Sequence, residues 1–279
     1  MLPPTASLKS KIDSKEFLLG SFVFSTDSSI PEIYAAAGFD FVIIDTEHGL
    51  NDVQTAVAHL RSARAAGIDA VIRIGAANLG DVPRLLDAGC EGIMFPHFGL
   101  PGSGSTDALK ATRYAPLGSR PTCTGVSVAG FGIADFASYV ERANRDILTI
   151  GLVEDRECVD HIHTILGRKE VEWVMPGPGD LATSLGVPGQ LLHPQVERAV
   201  NRVFSAANDS KTPVGMYIND PREITPWRAK GARFFVLSID LKWLGLSLKA
   251  AADACRACAT APNGTGPQKF HDSFKEPPQ

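Results

Sequence analysis

A (β/α)8 barrel (TIM barrel) is the fold class that this α/β sequence predicts, and three observations predict it. Eight short apolar runs recur along the 279 residues: 20–24 (GSFVF), 41–45 (FVIID), 70–74 (AVIRI), 92–96 (GIMFP), 149–154 (TIGLVE), 172–176 (EWVMP), 213–218 (PVGMYI) and 234–239 (FFVLSI). They are near-continuously apolar, not alternating, as strands of a parallel sheet buried on both faces should be. Each is followed by a polar or Gly-bearing turn and a helical stretch, the βα repeat that closes into a barrel at this length.

The helical stretches carry their own start and stop signals. Ser29 and Pro31 open 28–38 and Gly38 closes it. Asn51 reads as the N-cap of 51–66, with Val53, Val57 and Leu60 on one face and Gly67 as the stop. Asp220 and Pro221 read as a cap followed by proline at the first helical position. Two connections are too long to be simple. Residues 97–148 hold GLPGSGST and helical segments near 105–113 and 133–145, and 177–212 hold GPGDLATSLG before a helix near His193 and Pro194. Long loops inside a barrel are usually lids or interface elements. The domain reading is one barrel over 1–258 with a disordered tail over 259–279, rich in Pro, Gly and charge.

Composition excludes several partners. Lys plus Arg number 27 against 31 Asp plus Glu, a formal charge of −4, which argues against a dedicated nucleic-acid binder. Small anionic substrates stay open, because one local arginine serves them. The first residues lack the apolar core of a signal peptide, and no run reaches the length of a membrane span. Five scattered cysteines, among them a lone CxxC at Cys255 and Cys258, read as reduced thiols. A cytoplasmic protein with no membrane partner is the expectation.

In barrels of this kind reactive groups sit at the C-terminal ends of strands. Here those ends carry Asp45, with His48 three residues on, then Arg73, Glu154 and Asp180. A buried charge costs several kcal/mol unless it is paired or metal-bound, so four charged strand ends and a histidine want a shared explanation. Each has a bland alternative: Asp45 as a turn cap, His48 as a surface histidine, Arg73 as a salt-bridge partner of Asp45, Glu154 and Asp180 as helix caps. All five on one rim favour chemistry. Glu154 and Asp180 are hard oxygen ligands suited to a divalent ion that keeps waters or substrate oxygens. Arg73 suits a ketone oxygen turning into an enolate, and Asp45 beside His48 suggests a general base near neutral pH. His97, directly after the fourth run, is a further rim candidate. The eight runs contain no lysine for a Schiff base, and the chain has no GxSxG elbow and no phosphate-binding loop.

Taken in order, FDFVIIDTEHGLND, VIRIG, LLDAGCEGIMFP, ATRYAPLGSR, GLVED and GPGDLATSLG resemble the HpcH/HpaI family of metal-dependent (class II) pyruvate aldolases over roughly residues 8–255. The resemblance implies a barrel of the phosphoenolpyruvate/pyruvate superfamily with swapped C-terminal helices, often hexameric. It implies that Glu154 and Asp180 hold a divalent metal (Mg2+, Mn2+ or Co2+). Arg73 would bind the pyruvate moiety, Asp45 and His48 would form the base dyad, and the backbone of Gly177, Pro178 and Gly179 would line the carboxylate. The implied reaction interconverts a 4-hydroxy-2-oxo acid with pyruvate and an aldehyde. Three places depart from the family pattern: Arg120 is followed by Pro121-Thr122-Cys123, Leu152 stands where better-known members carry Gln, and Pro96-His97-Phe98 replaces a more apolar segment. These touch the substrate side, and keep open another carbon–carbon reaction on a citrate-type acid or a CoA thioester. A barrel that only binds a small acid is the remaining alternative.

Overall fold

In the computed structural model, which describes residues 7–260, eight parallel strands close in sequence order into a barrel. They are β1 (Leu18–Val23), β2 (Phe41–Asp45), β3 (Asp69–Arg73), β4 (Gly92–Phe95), β5 (Leu148–Val153), β6 (Trp173–Pro176), β7 (Val214–Ile218) and β8 (Ala232–Ile239). All eight apolar runs of the sequence are strands. The described residues up to Asp240 form one compact unit, and those from Leu241 to Thr260 a second. The helix Asp240–Thr260 starts on the last residue of the first unit, and its last two residues are the first two of the expected tail; from 261 on, that tail lies outside the described residues.

The period of two along each strand divides the apolar side chains into two layers. Phe41, Ile43, Val71, Met94, Ile150, Leu152, Trp173, Met175, Phe234 and Val236 fill the barrel interior. Val42, Ile44, Ile72, Ile93, Val153, Val174 and Phe235 face outward, against the helices. The helix Leu8–Ser14 joins the interior layer through Leu8 and Ile12. It is tied to strand starts by Lys11 Nζ on Asp69 (2.6 Å) and to the residue before β6 by Lys9 Nζ on Glu172 (3.2 Å). Charge thus fastens a plug at the N-terminal face.

Two glycines make the interior possible. A Cβ on Gly215 would lie 2.2 Å from the Phe234 ring, and one on Gly20 would lie 2.4 Å from the Phe41 ring. Neither ring can retreat freely: Phe234 stacks on Trp173 at 4.9 Å and meets Phe41 edge-on at 6.5 Å. The seam between β8 and β1 is held by Asp240, whose carboxylate accepts the N–H groups of Phe24 and Ser25, both at 2.9 Å.

Helix starts differ in one detail from expectation. Asp52, not Asn51, caps Val53–Ala66, accepting from the Thr55 N–H at 2.8 Å. Asn51 turns inward instead, and its amide donates to the Asp45 carbonyl at 3.0 Å. The end of the turn offers two adjacent Asx residues, and the buried one is recruited to hold the turn. Pro194–Ser210 starts after His193 as expected, and Asp220 forms a capping box with Glu223 around Pro221.

Two outcomes follow for stability. Gly215→Ala should lower it by about 1–3 kcal/mol in urea unfolding, because the added carbon overpacks the interior. Glu91, just before β4, is half-buried; burial, with Asp69 adding, pushes its carboxyl up to about 7 despite Lys11 and Arg64. The folded chain therefore keeps this proton where the unfolded chain has released it, so stability falls as pH rises from about 4.5 to about 7. Glu91→Gln should remove that loss. Its unfolding free energy should match wild type at pH 4.5 and exceed it at pH 8, by on the order of 1–2 kcal/mol in urea unfolding.

Candidate active site at the barrel mouth

Asp45 and Arg73 end β2 and β3 as direct register partners, which places both side chains inward at one level. Asp45 is fully buried, and Arg73 is nearly so. The guanidinium grips Asp45 with Nε at 3.1 Å and with a short Nη2 contact. Beneath it lie the rings of Phe22 and Phe24, 4.6 and 5.9 Å from the guanidinium carbon. Two of five donors serve Asp45; Nη1 has no partner among the described residues.

The turn after β2 is built over this pair. Asp45 Oδ1 accepts the backbone N–H groups of Glu47 (2.8 Å) and His48 (3.2 Å), while Thr46 donates through Oγ1 to the Arg73 carbonyl at 2.7 Å. Gly49 is required there, because a Cβ would sit 2.5 Å from the Asp45 carbonyl oxygen. Asp45 therefore fixes His48 through its main chain. The carboxylate beside the imidazole is Glu47, 3.9 Å from Nε2 to Oε2, and Glu47 also reaches Arg73 Nε at 3.5 Å. The expected Asp45–His48 ring contact gives way because Arg73 claims the inward carboxylate. Burial raises Glu47 above the ordinary carboxylate range, and Arg73 and His48 offset this only in part.

Glu154 follows β5 directly and is 3% exposed. One oxygen accepts the His97 backbone N–H at 2.8 Å, and the His97 Nδ1 lies 3.6 Å away. Burial pushes its carboxyl up to about 7; Asp180 and Glu47 add to this, and the His97 N–H and ring oppose it. Glu154 is no helix cap: Asp155 takes that position before Arg156–Asp160. His97 stands in the left-handed region at φ 48° and bonds through Nδ1 to Asp155 at 3.0 Å. Burial works against its cation, but Asp155, Glu154 and Glu47 together hold the imidazole above its ordinary value.

After β6 the chain passes Gly177 and enters the helix Pro178–Ser184, with Asp180 in its exposed first turn. Gly177 presses against Glu154; a Cβ there would come within 2.8 Å of Oε2. Among the described residues no three His, Cys, Asp or Glu side chains converge as a metal set. Glu154 and Asp180 thus offer two carboxylates, the pattern of an ion that keeps water or substrate oxygens. A desolvated carboxylate whose proton is held up to about 7, with a second acid adding to the shift, fits a cation beside it.

The mouth therefore gathers Asp45, His48, Arg73, Glu154, Asp180 and Gly177 at adjoining strand ends, and adds three residues. Glu47 was legible only as the acid next to His48 in TEHG. Asp155 follows Glu154 in GLVED, and its role as the acid on His97 needs the fold. Tyr217, on β7, reads in sequence as one more apolar strand residue.

Breaking the buried pair should be costly. Arg73→Met leaves Asp45 uncompensated and should lose about 3–5 kcal/mol in denaturant unfolding, while Asp45→Leu/Arg73→Met should recover much of it in a double-mutant cycle.

Residues 18–245 match the model of the HpcH/HpaI aldolase/citrate lyase family. A hydroxypyruvate/pyruvate aldolase of Paraburkholderia phytofirmans is 30% identical over 259 residues, covering 91% of this chain and 98% of the relative. The solved structure of an HpcH/HpaI aldolase/citrate lyase family protein from Burkholderia cenocepacia is 32% identical, with a TM-score of 0.82 over 90% of this chain and 100% of that one. The structure of the citrate synthase SbnG has the same TM-score at 28% identity, over 91% of this chain and 99% of its own. With most of its length inside the family model, this chain belongs to the HpcH/HpaI aldolase/citrate lyase family.

Proposed function

We propose that the barrel mouth interconverts a 4-hydroxy-2-oxo acid with pyruvate, or a related 2-oxo acid, and an aldehyde. One observation carries the reading: Glu154, a buried carboxylate whose proton is held up to about 7, shares the mouth with Asp180 and with the Arg73 guanidinium. The aldolase named among the relatives supports the reaction type.

Glu154 and Asp180 would hold a divalent ion, Mg2+, Mn2+ or Co2+, which supplies Lewis-acid stabilisation where negative charge collects on the 2-oxo acid. Arg73, rigid on Asp45 and the Phe22 ring, offers its Nη1 donors to the same oxygens. The first turn of Pro178–Ser184 suits the carboxylate. Gly177 spends its N–H on Val153 (2.9 Å) and Pro178 has none, so Gly179 and Asp180 supply the helix N-terminal donors. His48, on the turn fixed by Asp45 and beside Glu47, takes the 4-hydroxyl proton in cleavage and returns it in condensation.

Activity should release pyruvate from 4-hydroxy-2-oxo acids, disappear in EDTA and return with Mg2+ or Mn2+. Glu154→Gln and Asp180→Asn should each lower kcat/KM by about a hundredfold or more. Full turnover by metal-stripped protein would overturn the mechanism. A second reading, condensation to a citrate-type acid, is favoured by the equal likeness to SbnG. Incubation of oxaloacetate with acyl donors, with products read by mass, separates the two.

The protein belongs in the cytoplasm on this reading, and no described helix is long and apolar enough to cross a membrane. It acts as a homo-oligomer, a hexamer by family likeness. The helix Asp240–Thr260 exposes Trp243, Leu244, Leu246 and Leu248, apolar area that a second copy would cover. Light scattering should give six times the 29.7 kDa chain mass.

A further inference from the structure

The mechanism above uses the charged rim of the mouth and leaves its floor without a role. The last inward side chains of β4, β5 and β6 are Met94, Leu152 and Met175, all in the interior layer. None of the three carries an O–H, an N–H or a charge. Leu152 and Met175 are register partners, and the Leu152 carbonyl accepts the Phe98 N–H at 3.0 Å, which fixes the strand at this point.

Leu152 shares one notch with Glu154. Gly177 has no side chain, and the place its Cβ would take lies 2.8 Å from Glu154 Oε2 and 3.6 Å from Leu152 Cδ1. The notch therefore has a carboxylate on one wall and a methyl on the other. Leu152 and Glu154 are each 3% exposed and Gly177 is half-buried, which sets the notch at the base of the mouth.

A 2-oxo acid carries its oxygens on C1 and C2. With those drawn to the Glu154–Asp180 pair, to Arg73 and to the start of Pro178–Ser184, C3 is the end left for the apolar wall. It turns one face to the aldehyde and its substituent to Leu152. Hydrogen or a methyl there is buried without loss, whereas a hydroxyl gives up water and meets no partner.

We propose that Leu152 makes the donor end selective for 2-oxo acids with an apolar C3, such as pyruvate and 2-oxobutyrate, against those with a polar group on C3. This rests on the aldolase reading of the same site.

The test is a competition in Mg2+-loaded protein: equimolar pyruvate and hydroxypyruvate with glycolaldehyde, the products, which differ by one oxygen, being counted by mass. Their ratio reads the ratio of kcat/KM values and does not depend on how much of a variant folds. Wild type should favour pyruvate, and Leu152→Gln should lower that preference about tenfold by giving the hydroxyl a partner. In a second competition, of 2-oxobutyrate against pyruvate, Leu152→Ala should raise the share of 2-oxobutyrate roughly 3- to 10-fold by making room for the extra carbon. Wild type that favours hydroxypyruvate overturns the proposal, as do ratios that neither variant moves. Exchange of pyruvate methyl protons with deuterium oxide, followed by NMR in wild type without aldehyde, tests the wider reading. If wild type neither exchanges nor condenses, the aldolase reading fails and takes the proposal with it; exchange with unmoved ratios removes Leu152 alone.

Discussion

Asp45 and Arg73 meet in register at the ends of β2 and β3, and the rest of the mouth is arranged around their pair. An aspartate at zero exposure is tolerable only with its charge matched and its lone pairs filled. Arg73 supplies the charge, and the N–H groups of Glu47 and His48 supply the remaining bonds. Filling those lone pairs folds residues 46–49 over the strand ends, which is what brings His48 to the rim. One electrostatic requirement thus generates the turn, the position of His48 and the rigidity of the arginine. The Phe22 ring beneath the guanidinium completes this, because a stacked, paired arginine has few alternative rotamers to visit.

On the opposite side of the mouth the balance is reversed. Glu154, Asp180 and Glu47 gather negative charge; His97 opposes Glu154 at close range, and Arg73 and His48 reach only Glu47 among them. Such a cluster is unfavourable in isolation, and the raised carboxyl of Glu154 is its direct sign. Stability alone would have replaced one of the acids. The arrangement makes sense as a site whose charge is completed by what binds there, because Arg73 spends itself on Asp45 and Glu47.

How much of this was legible in the sequence follows from the same division. The eight strands were readable because burial on both faces leaves runs such as FVIID and FFVLSI with no alternation to confuse. The strand-end charges stood out against those runs, so Asp45, Arg73, Glu154 and Asp180 could be named without coordinates. Side-chain pairing was not legible. Proximity in sequence suggested that Asp45 serves the His48 ring, but alternation sends Asp45 inward to Arg73 and leaves Glu47 nearest the imidazole. Asn51 and Asp52 were interchangeable as caps on paper; only burial distinguishes them. Tyr217 was hidden for the opposite reason, since a tyrosine in an apolar run looks like core until the inward face is known.

The three departures from the family pattern also separate once the fold is known. Arg120 does not belong to the mouth: its side chain is buried without exposure, bonded to Asp87 at 2.7 Å and to the Tyr139 hydroxyl at 3.0 Å, and set over the Tyr114 ring. It fastens the 97–148 connection to the helix Val82–Ala88, and the Pro121-Thr122-Cys123 sequence after it changes that anchor's surroundings. Leu152 and His97, by contrast, flank Glu154: the first fills the barrel interior two residues before it, and the second bonds its carboxylate. The charged rim residues come from β2, β3, β5 and β6, and two of the departures lie at the end of β4 and in the interior of β5. Both border Glu154, whereas the turn that carries His48 is held by Asp45, paired with Arg73, through the N–H groups of Glu47 and His48. A change at Leu152 or His97 therefore acts on the surroundings of Glu154 while the Asp45–Arg73 pair, which sets the position of His48, stays in place.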